Sequence, residues 1–298
     1  MKLTYHIVNE NELEPFVPEL RSVEKKIEYP LENGTESFVI DHGKRYSPFF
    51  TQQGYKTKFL IIETNNMIVG SLVGVWKKIS LNQKNYTGLY VSDLKLKSEY
   101  RGRGIIKRML WYLFIRWPLV KGFKGWDFLY FCAMQRKSQG VDFTFKGAHL
   151  GKVTRPRASL NIYMLDAILL YDKKLDFFKL DYNNRINLSP QRTEDLLWND
   201  GIKNIISTKK NSLIKLGHLN PELLQQGKEK RLNLALEAVL KRENSRVCFA
   251  VDTRDYKKIK RLKEIGITTK TQCNVFSFNP FSPSFKGSKT VSISTGEI

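Results

Sequence analysis

The sequence predicts an α/β protein with a mixed sheet, built in two domains. Three observations predict it. Two strongly β-prone segments, 58–64 and 67–76, flank Asn65-Asn66, a pair that favours a tight hairpin turn. A third β segment, 88–96 (GLYVSDLKL), runs through a glycine-bearing turn into an amphipathic helix at 104–117 and then into the apolar strand 127–133 (DFLYFCA). A helix followed by a strand returns in the second half, at 221–241 and 246–252, and 298 residues at about 150 per domain allow two domains.

Taken in order, residues 2–8 read as a strand. Residues 11–27 read as a helix, with Leu13, Phe16, Val17, Leu20 and Val23 at helical spacing. Residues 30–55 hold Pro30, Asn33-Gly34, Gly43 and Pro48 and read as loop. The hairpin and the 88–96 strand follow. On the helix from 104 to 117, Ile106, Met109, Leu110, Leu113, Phe114 and Trp117 are expected to pack on the sheet. The run 127–133 suits a strand buried on both faces. Beyond it, 159–170 contains a strand, 221–241 reads as one helix, 246–252 as a strand, 254–265 as a basic helix and 270–278 as a strand. Residues 279–298 are rich in Ser, Pro, Gly and Lys and read as a mobile tail. The helix–loop–strand order of 97–133 recurs about 120 to 125 residues later. Duplication explains the echo, and so does the commonness of helix–strand units.

Composition narrows the function. The formal net charge is +21, shared as +9 over residues 1–150 and +12 over 151–298, so no basic tail produces it. Such a surface attracts anions: nucleotide phosphates, nucleic acid or an acidic membrane. Three widely spaced cysteines, Cys132, Cys248 and Cys273, make no CxxC pair and no disulfide framework. They suit a reducing compartment, and a cytoplasmic location is expected. The four histidines show no metal-ligand spacing. No apolar run approaches the ~18 to 20 residues of a membrane span, and no membrane partner is expected.

The segment that carries chemistry is Tyr100-Arg101-Gly102-Arg103-Gly104-Ile105-Ile106-Lys107, between a strand and an amphipathic helix. The first turn of such a helix points free N–H groups and a positive dipole end at the loop, which is an anion site. Gly102 and Gly104 remove side chains where a phosphate approaches the backbone. Arg101, Arg103, Lys107 and Arg108 add charge, so the turn has the makings of a pyrophosphate cradle. Neither the Walker A spacing nor GxGxxG is present.

This segment resembles motif A of the GNAT acyltransferase superfamily, R/Q-x-x-G-x-G/A, with Arg101 first and Gly104 fourth. Leu94-Lys95-Leu96 and the residues after it resemble the strand and loop that lead into that motif. The order strand, helix, hairpin, strand, motif helix, strand matches as well. The sixth position departs from the pattern: it is Ile106, where the family prefers Gly or Ala, although some members carry a larger aliphatic residue. The resemblance covers residues 1–165 and implies an acyl-CoA-binding GNAT-like domain there. Residues 166–298 then resemble a degenerate second GNAT-like domain or form an accessory α+β domain. Its motif position reads Gln226-Gly227-Lys228-Glu229-Lys230, and the carboxylate of Glu229 would repel a phosphate. Tandem GNAT proteins with one working half are a known pattern.

The resemblance implies that acetyl-CoA lies in a gap between strands 88–96 and 127–133. Backbone groups near Leu94, Lys95 and Leu96 would hold the pantetheine and the thioester carbonyl. The amides of Arg101, Gly102, Arg103, Gly104, Ile105, Ile106 and Lys107 would hold the pyrophosphate. An amine acceptor, a small molecule or a protein, would attack the thioester directly, which needs a base for the amine and an acid for the thiolate. Asp93 is the first candidate base, because partial burial would raise its pKa; the alternative is an ion pair with a nearby Lys or Arg. Glu63 is the second. The helix that often carries the family's Tyr acid reads SQGVDFTFKGAHLG, with Phe143 and Phe145 but no Tyr, leaving His149 as a substitute. The loop 43–57, with Phe49, Phe50 and Tyr55, is a candidate acceptor wall. Two other classes compete: a nucleic-acid-binding module gripping phosphates through Lys257, Lys258, Lys260, Arg261 and Lys263 with Tyr256 to stack, and a GNAT-like protein that binds CoA without turnover.

Overall fold

The computed structural model describes residues 1–31, 36–81, 84–116, 119–120, 123–134, 144–145, 148–149, 155–171, 185–225, 227–278 and 290–298. The strands of the first half are β1 (Thr4–Val8), β2 (Tyr29–Leu31), β3 (Glu36–Asp41), β4 (Lys56–Thr64), β5 (Met67–Leu81), β6 (Lys84–Leu96), β7 (Phe128–Met134), β8 (Thr144–Phe145), β9 (Ala148–His149) and β10 (Arg155–Leu165). Those of the second half are β11 (Arg185–Asn187), β12 (Leu196–Trp198), β13 (Asn204–Ser207), β14 (Ser212–Leu219), β15 (Ser245–Asp252), β16 (Gln272–Phe278) and β17 (Thr290–Ser292). The helices are α1 (Val17–Glu24), α2 (Pro48–Thr51), α3 (Ile105–Arg116), α4 (Ile168–Tyr171), α5 (Glu229–Leu240) and α6 (Tyr256–Glu264).

Among the described residues, thirteen strands form one mixed sheet in the order β1-β4-β5-β6-β7-β16-β10-β15-β14-β13-β3-β2, with β12 also on β14. Two neighbouring pairs in it are parallel, β6 with β7 and β14 with β15. These pairs are equivalent. In each half a strand leads through a glycine turn into a helix and back into a parallel strand. The equivalent elements start at residues 105 and 229 (α3, α5), 128 and 245 (β7, β15), and 155 and 272 (β10, β16). The echo in the sequence is therefore an architectural repeat. Its last strands are exchanged: β10 pairs with β15 of the second half, β16 pairs with β7 of the first, and β10 and β16 lie antiparallel at the centre.

Local chemistry accounts for the elements. Asn65 and Asn66 take φ of 49° and 57°, the left-handed values a two-residue hairpin turn requires. The predicted helix 11–27 is broken: 3-10 turns at Glu10–Glu12 and Glu14–Phe16 precede α1, with Pro15 and Pro18 each at the start of a helical segment. Proline supplies no N–H and is tolerated only in a first turn, so one continuous helix is excluded. The predicted helix 221–241 divides likewise into a turn at Pro221–Leu224 and α5, separated by Gly227 at φ +76°. Residues 30–55 hold two strands, β2 and β3, which complete the far edge of the sheet beside β13. Strand β7 is buried at Phe128 and Tyr130 and half-buried elsewhere, so it is less enclosed than its apolar sequence predicts.

The tail expectation holds for none of the described residues. Positions 279–289 lie outside them, and 290–298 form β17 and a buried turn. Val291 and Ile293 enter the main core, and Glu297 is 1% exposed. Glu297 pairs with Lys77 at 2.7 Å and with Arg192 at 3.2 Å, a polar anchor that composition does not reveal.

Among the described residues, three large apolar clusters and a smaller one at Ile205, Leu216 and Cys248 hold the layers. On one face of the first half, Phe59, Ile61, Val73 and Tyr90 meet Leu13, Leu20 and Phe50. On the other, Leu60, Ile62, Val69 and Leu72 meet Ile105, Ile106 and Met109 of α3. In the second half Val247, Phe249 and Val251 meet Leu232, Leu236 and Val239 of α5 and Leu262 of α6. Each fully buried large side chain contributes roughly 1.5–3 kcal/mol. The outcome places the N-terminus of α3 at the rim of the sheet, beside the end of β6.

Candidate active site

The turn before α3 is shaped by its glycines. Gly102 and Gly104 take φ of +74° and +70°, which side chains seldom adopt, and a Cβ at either would meet open space. The conformation therefore needs glycine, and the space above it is free for a ligand. Arg101 donates its N–H to Ser98 and Arg108 donates to Gly104. Among the described residues, the amides of Gly102, Arg103, Gly104, Ile105, Ile106 and Lys107 have no acceptor. Arg101 is pinned by a bond from Nε to the Leu96 carbonyl at 3.2 Å, and the Arg103 guanidinium lies 5.4 Å over the Tyr100 ring. Lys107 is exposed, while Ile105 and Ile106 are buried against β4 and β5. Ile106 thus points away from the cradle and does not crowd it.

The second copy of this turn is closed from within. Gly227 takes the same left-handed backbone, but Glu229 turns back and its Oε1 accepts from the Gly227 N–H at 2.9 Å. Hydrogen bonds from its own amide and from Gly227 hold the Glu229 carboxyl below the usual range. A carboxylate of the chain sits where the first half presents unpaired amides.

Beside the open cradle the sheet splits. Strands β6 and β7 pair at Gly88–Phe128, Leu89–Leu129 and Tyr90–Tyr130, and then part. From there, among the described residues, β7 keeps only β16 and β6 keeps only β5. Within the parted stretch β6 bulges: Lys95 faces Ser71 and Ser92 faces Val73, so Asp93 and Leu94 together oppose Leu72. Neither has a register partner on β5, and β7 has left the other side. Asp93 takes φ of 54°, an unfavourable value for a residue with a side chain.

Its side chain shows what holds it there. Asp93 accepts from Lys95 Nζ at 2.7 Å and from the Tyr46 hydroxyl at 2.9 Å. Lys95 Nζ also lies 2.6 Å from Glu24, which is further bonded to His42 through both Nδ1 and the backbone N–H. Oxygen and nitrogen atoms of Glu24, His42 and Asp93 lie within 4.8 Å of one another, with the Lys95 ammonium bound to both carboxylates. Burial acts to raise the Asp93 pKa, but Lys95, His42 and the Tyr46 hydroxyl outweigh it and hold the carboxyl below its usual range. Burial acts to lower the Lys95 pKa, and Asp93, Tyr46 and Glu24 overcome it. A carboxylate so held is a poor proton acceptor, so the geometry suits Asp93 to fixing the bulge rather than to general base work. The side chain of Lys95 is turned inward, leaving only its backbone toward the gap, while Leu94 is exposed and Leu96 half-buried.

Glu63 is not brought to this cluster. It stands two strands away on β4, with His6 Nε2 at 3.0 Å. The buried partners Glu24, His42, Tyr46 and Lys203 escaped the sequence, being scattered over 180 positions with no local spacing; only the burial of Asp93 hinted that some partner was needed. Burial pushes Lys203 down to about 8; its ammonium lies 4.9 Å over the Phe49 ring and bonds the Ile298 backbone oxygen. Phe49 and Phe50 are core residues, so of the three aromatics expected on the acceptor wall only Tyr55 is exposed. On α6, Lys258 is buried and 2.8 Å from Asp255, and Arg261 pairs with Glu264, so two of its five cations are engaged. Where a helix was sought, Thr144–Phe145 and Ala148–His149 instead pair antiparallel as β8 and β9, while Phe143 and the His149 side chain lie outside the described residues.

No family model matches the sequence, and no curated protein matches it. Solved structures do. Saccharomyces cerevisiae N-myristoyltransferase with bound myristoyl-CoA is similar over 95% of this chain and 80% of its own, at 8% identity and a TM-score of 0.53. A second structure of that enzyme gives 9% identity and 0.52, covering 95% and 84%. A tandem GNAT protein from the clavulanic acid biosynthesis pathway shares 12% identity over 94% of this chain and 99% of its own, at 0.49. The fold is therefore one shared with the N-myristoyltransferase structures, a mixed sheet in which the unit of strand, glycine turn, helix and parallel strand occurs twice.

Proposed function

We propose that the chain is an acyl-CoA-dependent N-acyltransferase that moves an acetyl group from acetyl-CoA to an amine. The observation that carries this reading is the coincidence, in the first half alone, of parted strands, unladdered peptide groups at Asp93–Leu94 and six amides without acceptors. The cradle and its arginines suit a pyrophosphate. The bulge suits the thioester oxygen, whose negative charge grows as a neutral amine attacks the carbonyl carbon. The carbon–sulfur bond then breaks, the thiolate gains a proton and the amine nitrogen loses one. Asp93 and Lys95 act as positioning residues for the bulge. The second half supplies no donor site, because Glu229 fills its cradle.

Thermal unfolding with acetyl-CoA and, in parallel, myristoyl-CoA tests the reading. Donor at about 100 times its dissociation constant adds ~2.7 kcal/mol, a rise of several degrees in Tm. Gly104→Glu with Arg101→Glu, which imitates the closed second cradle, should abolish the shift. A shift with myristoyl-CoA alone would replace acetyl by a long chain. No shift with either would overturn the reading, and a shift without turnover on any amine would leave a CoA-binding protein that is not an enzyme.

A further inference from the structure

The outward face of α3 carries large apolar side chains that no described residue covers. Trp111 and Phe114 are each 64% exposed, Ile115 is 50% exposed, and Leu119, just past the helix, is 69% exposed. The two rings stack with centroids 5.6 Å apart and planes 19° from parallel. At helical spacing these side chains fall opposite Ile105, Ile106 and Met109, which are buried. The sequence places Phe114 on the buried stripe, and the structure turns it outward. Single exposed leucines are ordinary, but a contiguous aromatic patch on one helix marks an interaction surface.

Charge identifies what covers it. Residues 101–124 contain seven Lys or Arg and no Asp or Glu. Lys107, Arg108 and Arg116 of the same helix are exposed beside the aromatic patch. A second copy of this chain would bring like charge against like at that rim. An anionic bilayer offers both complements at once, phosphates for the cations and an acyl boundary for the rings. Tryptophan also favours that boundary. We propose that the outer face of α3 is an interfacial binding surface for anionic lipid membranes. This reverses the expectation of no membrane partner. It needs no spanning helix, and none of the described helices is long and apolar enough to be one. The proposal does not depend on the donor reading.

Flotation of the full chain with vesicles tests it. Vesicles of phosphatidylcholine mixed with phosphatidylglycerol should bind at least about tenfold more tightly than phosphatidylcholine alone, and added salt should weaken that binding. Trp111→Ser with Phe114→Ser should reduce binding by about tenfold or more, with Tm unchanged because both side chains face out. Binding to neither vesicle overturns the proposal, as does a double variant that binds as well as the parent. A concentration-dependent dimer that the double variant abolishes, without vesicle binding, assigns the face to a second copy instead.

Discussion

At the scale of single residues, the site turns on Asp93. Its left-handed backbone costs about 1–3 kcal/mol, and two hydrogen bonds to its carboxylate hold it. Removing the cation leaves Glu24 and Asp93 buried without their ammonium. Lys95→Met should therefore cost about 3–5 kcal/mol, and adding Asp93→Asn should restore part of it; urea melts of a double-mutant cycle measure the coupling. A second residue sets acid stability. His218 is buried with Nδ1 2.8 Å from Thr295, and burial, with Lys203 and Arg192 nearby, pushes its pKa down to about 3 from an ordinary 6.5. Between those values the unfolded chain binds a proton that the folded chain refuses. This contribution is complete above pH 6.5 and is lost as pH falls toward 3, at about 1.4 kcal/mol per unit. Moving from pH 7 to 5 should cost the parent about 2 kcal/mol more than His218→Asn, read by denaturant melts. Little of this was legible: Arg101, Gly102 and Gly104 stand in seven consecutive letters, whereas Asp93 acquires its meaning from Tyr46 and Glu24, which only folding brings near.

At the scale of elements, legibility followed periodicity. The hairpin β4–β5, the strand β6 and the helix α3 repeat their apolar residues over enough turns to declare themselves. The short strands β2, β3 and β11 to β13 have three to six residues each, too few for a pattern, and they earn their place by pairing with distant partners. Prolines were the other source of error, since the apolar spacing of 11–27 continues through Pro15 and Pro18 while the hydrogen bonds do not. The segment 290–298 looked like a tail because its small polar residues conceal how fully it is enclosed. Glu297 gives it a test. Glu297→Gln leaves Lys77 and Arg192 facing a neutral group in the core, and a loss of about 3 kcal/mol is expected. Pairing it with Lys77→Met should recover part of that loss in the same melts. Recovery would show that the anchor is electrostatic rather than steric.

At the scale of the whole molecule, the repeat was visible as a helix–strand echo, but the exchange of β10 and β16 was not. Both are ordinary strands by sequence, and only their partners are unexpected. Because each half lends its last strand to the other, neither half closes its own sheet. Residues 1–171 and 185–298, expressed separately, should each fail to give a cooperative melt, and together should give one complex; co-purification and thermal unfolding check this. The exchange also bears on ancestry. A single half, freed of its covalent sibling, would still need a strand antiparallel to β7, and an identical molecule would supply it. Two such molecules would be interlocked about a two-fold axis between their lent strands, each completing the other.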